Sequence, residues 1–437
     1  MTAMAAPATQ RIAVIGGTVS GNRGAEAMLE TIVGRIKEVL PDVKFDVFSY
    51  YPEADGRLVG DPAVTVLSAR PGALVFIHLP AALWVWCWGK LGLRWPDRLL
   101  PREMAALRGS VVLLDIAGIS FSDGREIFLP FNVLSIWPAM LAGVPVVKCA
   151  QAAGPFKGAL NGLLAGMFLP RCRFIFGRGP ETVSHLTGLG LSDRLCGGAP
   201  DLAFLHKPAY ALSRENEADN QRLLERLRRA KAEGRGLVCI NPSSLVHARC
   251  RKNGIDYVSI LAALSRTLVS QGFAIVLLPM ATRSANGDKP RNNDIAVIKS
   301  IAASLSGGVE QDFLFYADWD MNYAAIKSCM AAADCAVVSR FHGLVTALAL
   351  GLPVLALGWG HKYRELLAHF GLEEWSLDSG DAAASLEKRT LALIDNGEQI
   401  RKTIAKALPD IASRAERQLE VILSILNEAD LSEHTDK

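Results

Sequence analysis

The sequence lacks the residue patterns of several common protein classes. Its eight cysteines form no CxxC pair and show no metal-ligand spacing with histidine. We therefore expect reduced thiols and no metal site. A formal charge of only +3 on 437 residues gives no reason to expect a nucleic-acid partner. The first residues contain no apolar core of the signal-peptide kind, so we expect a cytoplasmic protein.

The glycine-rich opening GGTVSGNRGAEA also lacks the dinucleotide-binding pattern. Its glycines do not have GxGxxG spacing, since they stand at Gly16, Gly17, Gly21 and Gly24. An apolar strand precedes the loop and an amphipathic helix follows it, so its N–H groups can still cradle an anion. Asn22 and Glu26 are placed either to contact a substrate hydroxyl or to cap the helix.

The chain contains two successive series of alternating strands and helices. Half of its residues are hydrophobic and 21% are charged, which is globular composition. We predict an α/β protein with two Rossmann-like domains, residues 1–205 and 206–437, that face a cleft in the glycosyltransferase-B manner. The polar loop 281–294 is expected to be a mobile substrate loop.

Residues 73–102 depart from ordinary soluble composition. An uncharged run of about 17 residues is followed by basic side chains and is rich in tryptophan. The residues concerned are Trp84, Trp86, Trp88, Trp95, Lys90, Arg94, Arg98 and Arg102. The segment fits a helical hairpin buried on the sheet or against a second copy of the chain, which would give a homo-oligomer. It also fits a monotopic element on the inner face of the cytoplasmic membrane, or a membrane span.

The stretch SRFHGLVTALALGLPVLALGWGHKY, residues 339–363, predicts a turn, a helix and a strand after the apolar strand CAVV. Arg340 and His342 thus lie where a strand ends and a helix begins, which is where open parallel sheets bind ligands. Arg340 offers a planar fork to a carboxylate or phosphate. His342 can exchange a proton near neutral pH. Lys362 could add a third cation.

Further polar residues follow strands in the first half of the chain. Asp115 and Asp123 stand on either side of Gly118, Gln151 lies in QAAGP, and Arg178 lies in RGPE. A carboxylate there could activate a sugar hydroxyl, and a glutamine could hold another. Each of these residues also fits a helix cap or a loop hydrogen bond.

Together these motifs resemble the polysaccharide pyruvyl transferase family. SRFHG…ALGLPVLAL…HKY is similar to the family's signature S-x-R-x-H-[GS]…A-x-x-x-G-x-P-v…K, and GNRGAEAML is similar to its opening GN-x-GDEA-x-L. The pieces QAAGPF, FGRGPETVSHL and APDLAF follow in the expected order. The resemblance covers residues 11–372.

The resemblance implies transfer of a carboxyvinyl group from phosphoenolpyruvate to two hydroxyls of one sugar, which gives a cyclic pyruvate ketal. It implies no cofactor beyond this co-substrate, and a saccharide acceptor that is lipid-linked in bacterial members. His342 would be the acid, and Asp115 or Asp123 the base. The implied donor-binding residues are Arg340, His342, Gly343, Lys362, Asn241 and Ser243. The implied acceptor-binding residues are Asn22, Glu26, Gln151 and Arg178.

Departures from the family pattern keep two other functions open. Ala25 replaces the usual Asp, DIAGIS replaces a glycine-rich GGG, RGPE opens the usual R-D/E, and INPSS stands where many members carry an arginine. A nucleotide-sugar-dependent glycosyltransferase of the same architecture would use Arg340 and Lys362 for a diphosphate and His342 as a base. A non-catalytic protein of a polysaccharide assembly complex is the third interpretation.

Overall fold

The computed structural model describes residues 10–283, 292–310, 312–358 and 361–435. Residues 284–291, which form most of the predicted substrate loop, lie outside this part. The strands of the described residues are β1 Arg11–Ile15, β2 Lys44–Ser49, β3 Val64–Ser68, β4 Val112–Asp115, β5 Ile119–Ser122, β6 Val146–Gly154, β7 Phe174–Gly177, β8 Leu195–Gly198, β9 Gly236–Asn241, β10 Phe273–Leu277, β11 Leu314–Tyr316, β12 Cys335–Val338, β13 Val354–Gly358 and β14 Ser376–Asp378.

Helices connect most of these strands, as expected for parallel sheets. They are α1 Arg23–Val39, α2 Pro52–Leu58, α3 Pro71–Ala73, α4 Leu79–Lys90, α5 Arg102–Arg108, α6 Leu129–Leu134, α7 Trp137–Leu141, α8 Ala159–Phe168, α9 Pro180–Gly188, α10 Glu217–Ala232, α11 Ser244–Lys252, α12 Tyr257–Ser270, α13 Ile295–Leu305, α14 Tyr323–Met330, α15 Phe341–Ala349, α16 His361–Ala368, α17 Ala382–Asp395 and α18 Gly397–Thr435.

The first sheet is parallel and has the order β3-β2-β1-β4-β6-β7-β8, with β5 paired to β6. Alternate residues of its strands point to one face, as the period of two requires. On one face Ile15, Leu113, Val146 and Ile175 join a single core cluster with buried residues of α4, α6, α7 and α8. We call the layer formed by these four helices the α4–α8 face.

The second sheet is parallel and has the order β11-β10-β9-β12-β13-β14. Counted within the sheet this is 3-2-1-4-5-6, the order of a Rossmann fold. Its central strands are almost wholly buried and rich in valine, isoleucine and leucine, because helices cover both sides of a parallel sheet. The predicted α/β class with two Rossmann-like sheets is therefore confirmed.

The chain divides into two compact units whose boundaries differ from the predicted ones in two segments. The first unit contains the described residues up to Thr18, Met28–Leu202 and the chain from Arg414 onward. The second contains Val19–Ala27 and Ala203–Ser413. The end of α18 joins the first unit because Gln418 accepts a hydrogen bond from the N–H of Ala150 at 2.7 Å and donates one to the carbonyl of Pro200 at 2.9 Å.

The predicted hydrophobic hairpin, residues 73–102, is not a pair of helices. One continuous helical stretch, Pro71–Lys90, is followed by a 3₁₀ turn at Asp97–Leu99 and then by α5. By length and composition Pro71–Lys90 is the one helix of the described residues that could cross a membrane. Of its most apolar window of 18 residues, 22% is buried inside the protein. Its inner side, including Leu74 and Ala82, belongs to the core cluster beneath the α4–α8 face.

Candidate active site

The strand order of the second sheet reverses between β9 and β12, and the ends of these two strands carry the predicted donor-binding motifs. Val338, the last residue of β12, pairs with Asn241, the last residue of β9. Ligands bind at such a switch point in Rossmann-like sheets, beyond the carboxyl ends of the strands. The turn SRFHG, residues 339–343, therefore lies beside INPSS, residues 240–244.

The SRFHG turn is shaped by a close approach between Gly343 and Asn241. Arg340 has an extended backbone as the N-cap residue of α15, and His342 lies in the first turn of that helix. A Cβ on Gly343 would overlap the side-chain oxygen of Asn241, so only glycine allows this approach. Asn241 is fully buried, and its Nδ2 donates to the carbonyl of Leu278 at 2.6 Å. Its contact with a donor stays a prediction: Nδ2 is used within the fold, and Oδ1 has no hydrogen-bond partner among the described residues.

Asp294 connects the ends of three strands in the second sheet and orients Arg340. Its Oδ1 accepts hydrogen bonds from the N–H of Ser244 at 2.8 Å and from Nη2 of Arg340 at 2.6 Å. Its Oδ2 accepts from the N–H groups of Met280 and Ala281 at 3.2 and 2.9 Å. It also accepts from Nε of Arg340 at 3.1 Å. Such a bidentate ion pair fixes the plane of the guanidinium as well as its charge.

No pattern in the sequence selects Asp294 as a site residue. An Asp directly before the apolar helix α13 predicts an ordinary N-cap, but the side chain makes no cap hydrogen bond and instead meets Arg340. Arg340 also donates from Nη2 to Oγ of Ser244 at 3.1 Å. With Nε and Nη2 bonded in this way, Nη1 is the nitrogen of Arg340 that has no hydrogen-bond partner among the described residues, and the side chain is 15% exposed.

Ser243 has a structural role that the sequence prediction did not assign to it. Its Oγ caps α11 by accepting hydrogen bonds from the N–H groups of Leu245 and Val246. Its own N–H donates to Oη of Tyr257 at 3.2 Å, and that hydroxyl donates to Oγ of Ser339 at 2.7 Å. The contact of Ser243 with a donor stays a prediction, and its burial and hydrogen bonds on both sides argue against it.

The GNRGAEA segment reaches the same site from the beginning of the chain. Val19–Ala27 groups with the second unit, and the N–H of Arg23 donates to the carbonyl of Met280 at 3.2 Å. Gly24, in the first turn of α1, lies directly against the imidazole of His342. A Cβ at position 24 would overlap the ring, so this glycine is needed for a close approach.

Two other residues of this segment, Asn22 and Glu26, are predicted to contact the acceptor. In the structure both of them form hydrogen bonds within the protein. Oδ1 of Asn22 accepts from the N–H of Ala25 at 3.4 Å, which is a helix-capping geometry. Glu26 is fully buried, and its Oε2 accepts from Nη1 of Arg23 at 2.5 Å and from the N–H of Tyr323 at 3.0 Å. The acceptor contact of Glu26 stays a prediction, and the ion pair of its buried carboxylate with Arg23 argues against it.

Lys362 lies in α16, beside the SRFHG turn. Its Nζ is 5.3 Å from the ring centroids of both Phe341 and Tyr363. The ring of Phe341 meets that of His342 edge-on, with the centroids 5.6 Å apart. The exposed ammonium thus adds positive charge next to the turn.

In the first unit the switch point lies between β1 and β4, and Asp115 ends β4 there. Asp115 forms a buried ion pair with Lys148, and its Oδ1 accepts from the N–H of Ala117 at 3.0 Å. The side chain of Gln151 donates to the carbonyl of Asp115 and accepts from Oγ of Ser120, both at 2.7 Å. Asp115 as base and Gln151 as acceptor ligand stay predictions, and the burial and hydrogen bonds of both side chains within the sheet argue against them.

Asp123, the other predicted base, holds the chain ahead of α8. Its Oδ1 accepts from the side chain of Asn161 at 2.6 Å, and its Oδ2 accepts from the N–H groups of Lys157 and Gly158 at 2.7 and 3.2 Å. The hydrogen bond from Asn161, together with those from the two N–H groups, lowers the pKa of Asp123. A carboxylate stabilised in its charged form is a weaker base, so the structure argues against this role.

Arg178, at the end of β7, is also engaged within the first unit. Its Nη1 lies 3.1 Å from Oδ2 of the buried Asp201, and its N–H donates to the carbonyl of Gln151 at 2.9 Å. The first unit thus uses all four of its predicted site residues in its own hydrogen bonds. In the second unit, Arg340, His342 and Gly343 remain together at the start of α15.

This group supplies a cationic edge, the N–H groups of a helix N-terminus and an imidazole. Such a set can hold an anion and transfer a proton to or from it. Among the described residues, no three His, Cys, Asp or Glu side chains are grouped so that they could hold a metal ion.

Solved structures with the same fold bind nucleotide sugars or their parts. MnaA of S. aureus, solved with UDP, has a TM-score of 0.56 at 11% identity, covering 96% of this chain and 97% of that one. UDP-GlcNAc 2-epimerase from Neisseria meningitidis, bound to UDP-GlcNAc, has 0.53 at 12% identity over 95% and 100%. Anabaena HepE with UDP-glucose has 0.51 at 14% identity over 95% and 99%. At these identities the likeness shows the fold alone, a glycosyltransferase-B-like pair of α/β sheets.

Sequence comparison identifies the family. Residues 22–361, more than three quarters of the chain, match the family model described as polysaccharide pyruvyl transferase. The amylovoran biosynthesis protein AmsJ of Erwinia amylovora is 20% identical over 420 residues, which are 91% of this chain and 95% of that one. The chain belongs to the polysaccharide pyruvyl transferase family. Membership supports a transferase with a general role in pyruvyl transfer.

Proposed function

We propose that this chain transfers the pyruvyl group of phosphoenolpyruvate to two hydroxyls of one sugar in a cell-surface polysaccharide or its precursor. The methylene carbon gains a proton and becomes a methyl group. One sugar oxygen bonds to the central carbon, and the bond from that carbon to the phosphate oxygen breaks. The second sugar oxygen then bonds to the same carbon. The two hydroxyl protons balance the new C–H bond and the released hydrogen phosphate.

The observation that carries the proposal is the position of Arg340 and His342 at the switch point of the second sheet, in a chain of this family. Phosphoenolpyruvate brings a carboxylate and a phosphate, which suit the Nη1 edge of Arg340 and the start of α15. Lys362 adds positive charge nearby. His342 would donate the proton to the methylene carbon. This step makes the central carbon electrophilic toward a hydroxyl.

Asp115 and Asp123 are not assigned as bases in this proposal. Asp115 is paired with Lys148, and Asp123 is stabilised in its charged form. The proton of the first hydroxyl would instead leave with the phosphate. No metal or other cofactor is needed for these steps, and phosphoenolpyruvate is the one co-substrate.

The proposed acceptor is a saccharide that the protein reaches at the membrane. AmsJ is named for amylovoran biosynthesis, which supports a polysaccharide product. A lipid-linked saccharide would be reached by a cytoplasmic protein held peripherally on the inner leaflet through the helical stretch Pro71–Lys90. Its exposed tryptophans, Trp84 and Trp86, suit the headgroup layer. Nucleic acid is not a proposed partner.

Ligand binding tests the donor. Phosphoenolpyruvate and, separately, UDP-glucose would be titrated calorimetrically into the wild type and into Arg340→Lys, which keeps the charge but loses the planar fork. Arg266→Lys, a change at an exposed arginine that bonds a carbonyl on the surface, is the matched control. We expect phosphoenolpyruvate to bind the wild type and the control, and to bind Arg340→Lys at least about tenfold more weakly.

The other outcomes separate the remaining functions. Binding of UDP-glucose without phosphoenolpyruvate would replace the proposal with a glycosyltransferase. Binding of neither ligand would favour a non-catalytic protein of an assembly complex.

The role of His342 as the acid has its own test. His342→Gln should bind phosphoenolpyruvate but release no phosphate when a saccharide acceptor is present. Full turnover of this variant would remove His342 from the mechanism.

A further inference from the structure

The outer side of the α4–α8 face carries exposed apolar side chains beyond those of the tryptophan-rich helix. In α8, Leu160 and Leu163 are 56% and 61% exposed, and Met167 lies one turn further along the same side. In the 3₁₀ turn before α6, Ile127 is 85% exposed. These side chains were not singled out by the sequence, and they lie outside residues 73–102.

All of these elements cover the same face of the first sheet. The inward residues Ala82 of α4, Val133 of α6, Ala139 of α7 and Ala165 of α8 belong to one core cluster. The ring of Trp137 in α7 also contacts that of Phe168 in α8, with the centroids 5.5 Å apart. Helices that share an inner core present their opposite sides outward in a common layer. The exposed residues of α4 and α8 therefore belong to one surface.

Exposed cations follow α4 and stand on either side of α8 in the sequence. Residues 90–102 contain four basic side chains and one acidic one, so their net charge is 4 − 1 = +3. Residues 157–171 contain two basic side chains and no acidic one, which gives +2. The opposite charges of Arg125 and Glu126, next to Ile127 in the sequence, sum to zero. The exposed cations meant here are Lys90, Arg94, Arg98, Arg102, Lys157 and Arg171.

We propose that the whole α4–α8 face docks on an anionic lipid bilayer, with α8 and the 126–128 turn inserting beside Pro71–Lys90. This inference rests on the proposed membrane contact and extends it to residues that nothing above assigns to lipid. Apolar side chains enter the acyl boundary while the surrounding cations meet lipid phosphates. Charge complementarity favours this occupant over a second copy of the chain. A two-fold contact would bring this net-positive surface against a copy of itself.

The bilayer is contacted from one side and is not crossed by Pro71–Lys90. Leu74 and Ala82 of this stretch are buried in the core beneath the face, and the ring of His78 packs against that of Phe48 with the centroids 5.7 Å apart. A span would remove these side chains from the core and expose it. A helix with one side in the protein core and the other in the interface satisfies both surroundings.

Vesicle sedimentation tests the extended face with the full-length protein. The vesicles are phosphatidylcholine alone and phosphatidylcholine mixed with phosphatidylglycerol. The first variant is the double change Leu160→Gln and Leu163→Gln, and the second is Trp84→Gln and Trp86→Gln. The control is Val39→Gln and Leu431→Gln, at equally exposed positions of α1 and α18. Glutamine is a good helix former, so all three variants should fold, which thermal unfolding checks.

The wild type and the control should bind the phosphatidylglycerol vesicles. Each of the other two variants should bind them at least about tenfold more weakly. Loss of binding only in the tryptophan variant would overturn the extended face and leave the smaller membrane contact. Absence of wild-type binding would overturn both, without touching phosphoenolpyruvate binding, which is measured separately. Self-association that the leucine variant abolishes, without vesicle binding, would make the face an interface between copies.

Discussion

The imidazole of His342 lies against the α-carbon of Gly24, so that two residues far apart in the sequence meet at one point of the second unit. Gly24 belongs to the GNRGAEA motif and His342 to the SRFHG motif. The two motifs that carry the resemblance to pyruvyl transferases are therefore parts of one structure. The first turn of α1 forms a wall against which the ring of His342 packs.

Gly24→Ala should destabilise the protein by about 1–3 kcal/mol or displace the ring of His342, because the new Cβ overlaps it. In a His342→Ala background the same change should be neutral or stabilising, since the overlap is gone. The matched control is Gly56→Ala in α2, where a Cβ meets nothing within 4 Å. Urea unfolding of the wild type, Gly24→Ala, His342→Ala and the double variant measures both effects. If Gly24→Ala changed the free energy of unfolding equally in both backgrounds, the contact would be contradicted.

The sequence predicts most of the sheets because their central strands are continuous apolar runs. CAVV and GLVCIN correspond to β12 and β9, which are buried on both sides. Three strands at sheet edges, β3, β8 and β14, lack such a run, because their residues are partly exposed and the segments are short or contain glycine and serine. Without burial on both sides, no apolar run marks such a strand.

The site could be predicted only where its parts are neighbours in the sequence. Arg340 and His342 follow β12 directly, so their place at the switch point is readable. Asp294 reaches Arg340 across 46 positions, and no sequence pattern joins them. The sequence predicts Asp115 as a base because an acid after a strand looks the same whether or not a lysine pairs with it. Lys148 within the apolar run VVKCA was the available signal.

Asp294→Asn should cost about 3 kcal/mol of stability, because it removes the charge that neutralises Arg340 and leaves one amide nitrogen facing donors. Phosphoenolpyruvate binding should weaken as well, since the guanidinium is no longer held in one plane. Calorimetry and thermal unfolding of the same preparations measure the two effects. Asp318→Asn, in an exposed ion pair with Lys299, is the control and should change stability by less than about 1 kcal/mol. A result for Asp294→Asn as small as for the control would refute the prediction.

Lys148→Met should destabilise the protein by about 3–5 kcal/mol, because it leaves the buried carboxylate of Asp115 without its counter-charge. The double change Asp115→Asn and Lys148→Met should regain most of this loss, since neither charge is then buried. Guanidinium unfolding of the two single variants and the double variant gives the coupling free energy. Additive losses would show that the two side chains do not interact. The exposed pair Glu398 and Lys402 serves as the control cycle, with little coupling expected.

Asp123→Ala should cost about 1 kcal/mol near neutral pH, because the carboxylate no longer accepts hydrogen bonds from Asn161 and from the chain before α8. The pKa of Asp123 is lowered in the folded protein, so its contribution is present above the usual aspartate pKa and is lost as pH falls through the lowered value. The wild type and the variant should therefore converge in stability in acid. Urea midpoints across that pH range measure this, with the exposed Asp193→Ala as control. A constant difference at all pH values would contradict it.

His206 should make the protein less stable as pH falls below about 6.5. Burial, and then the charge of Lys327, lowers the pKa of His206 to about 3. Between these two values the unfolded chain binds a proton that the folded chain does not, so the free energy of unfolding decreases with falling pH. His206→Phe keeps a ring against Tyr323, whose centroid is 4.7 Å away, and should flatten this part of the stability curve. Urea unfolding at several pH values between about 4 and 7 compares the slopes. Parallel stability curves for the wild type and His206→Phe would mean that His206 takes up its proton in the folded protein as readily as in the unfolded chain.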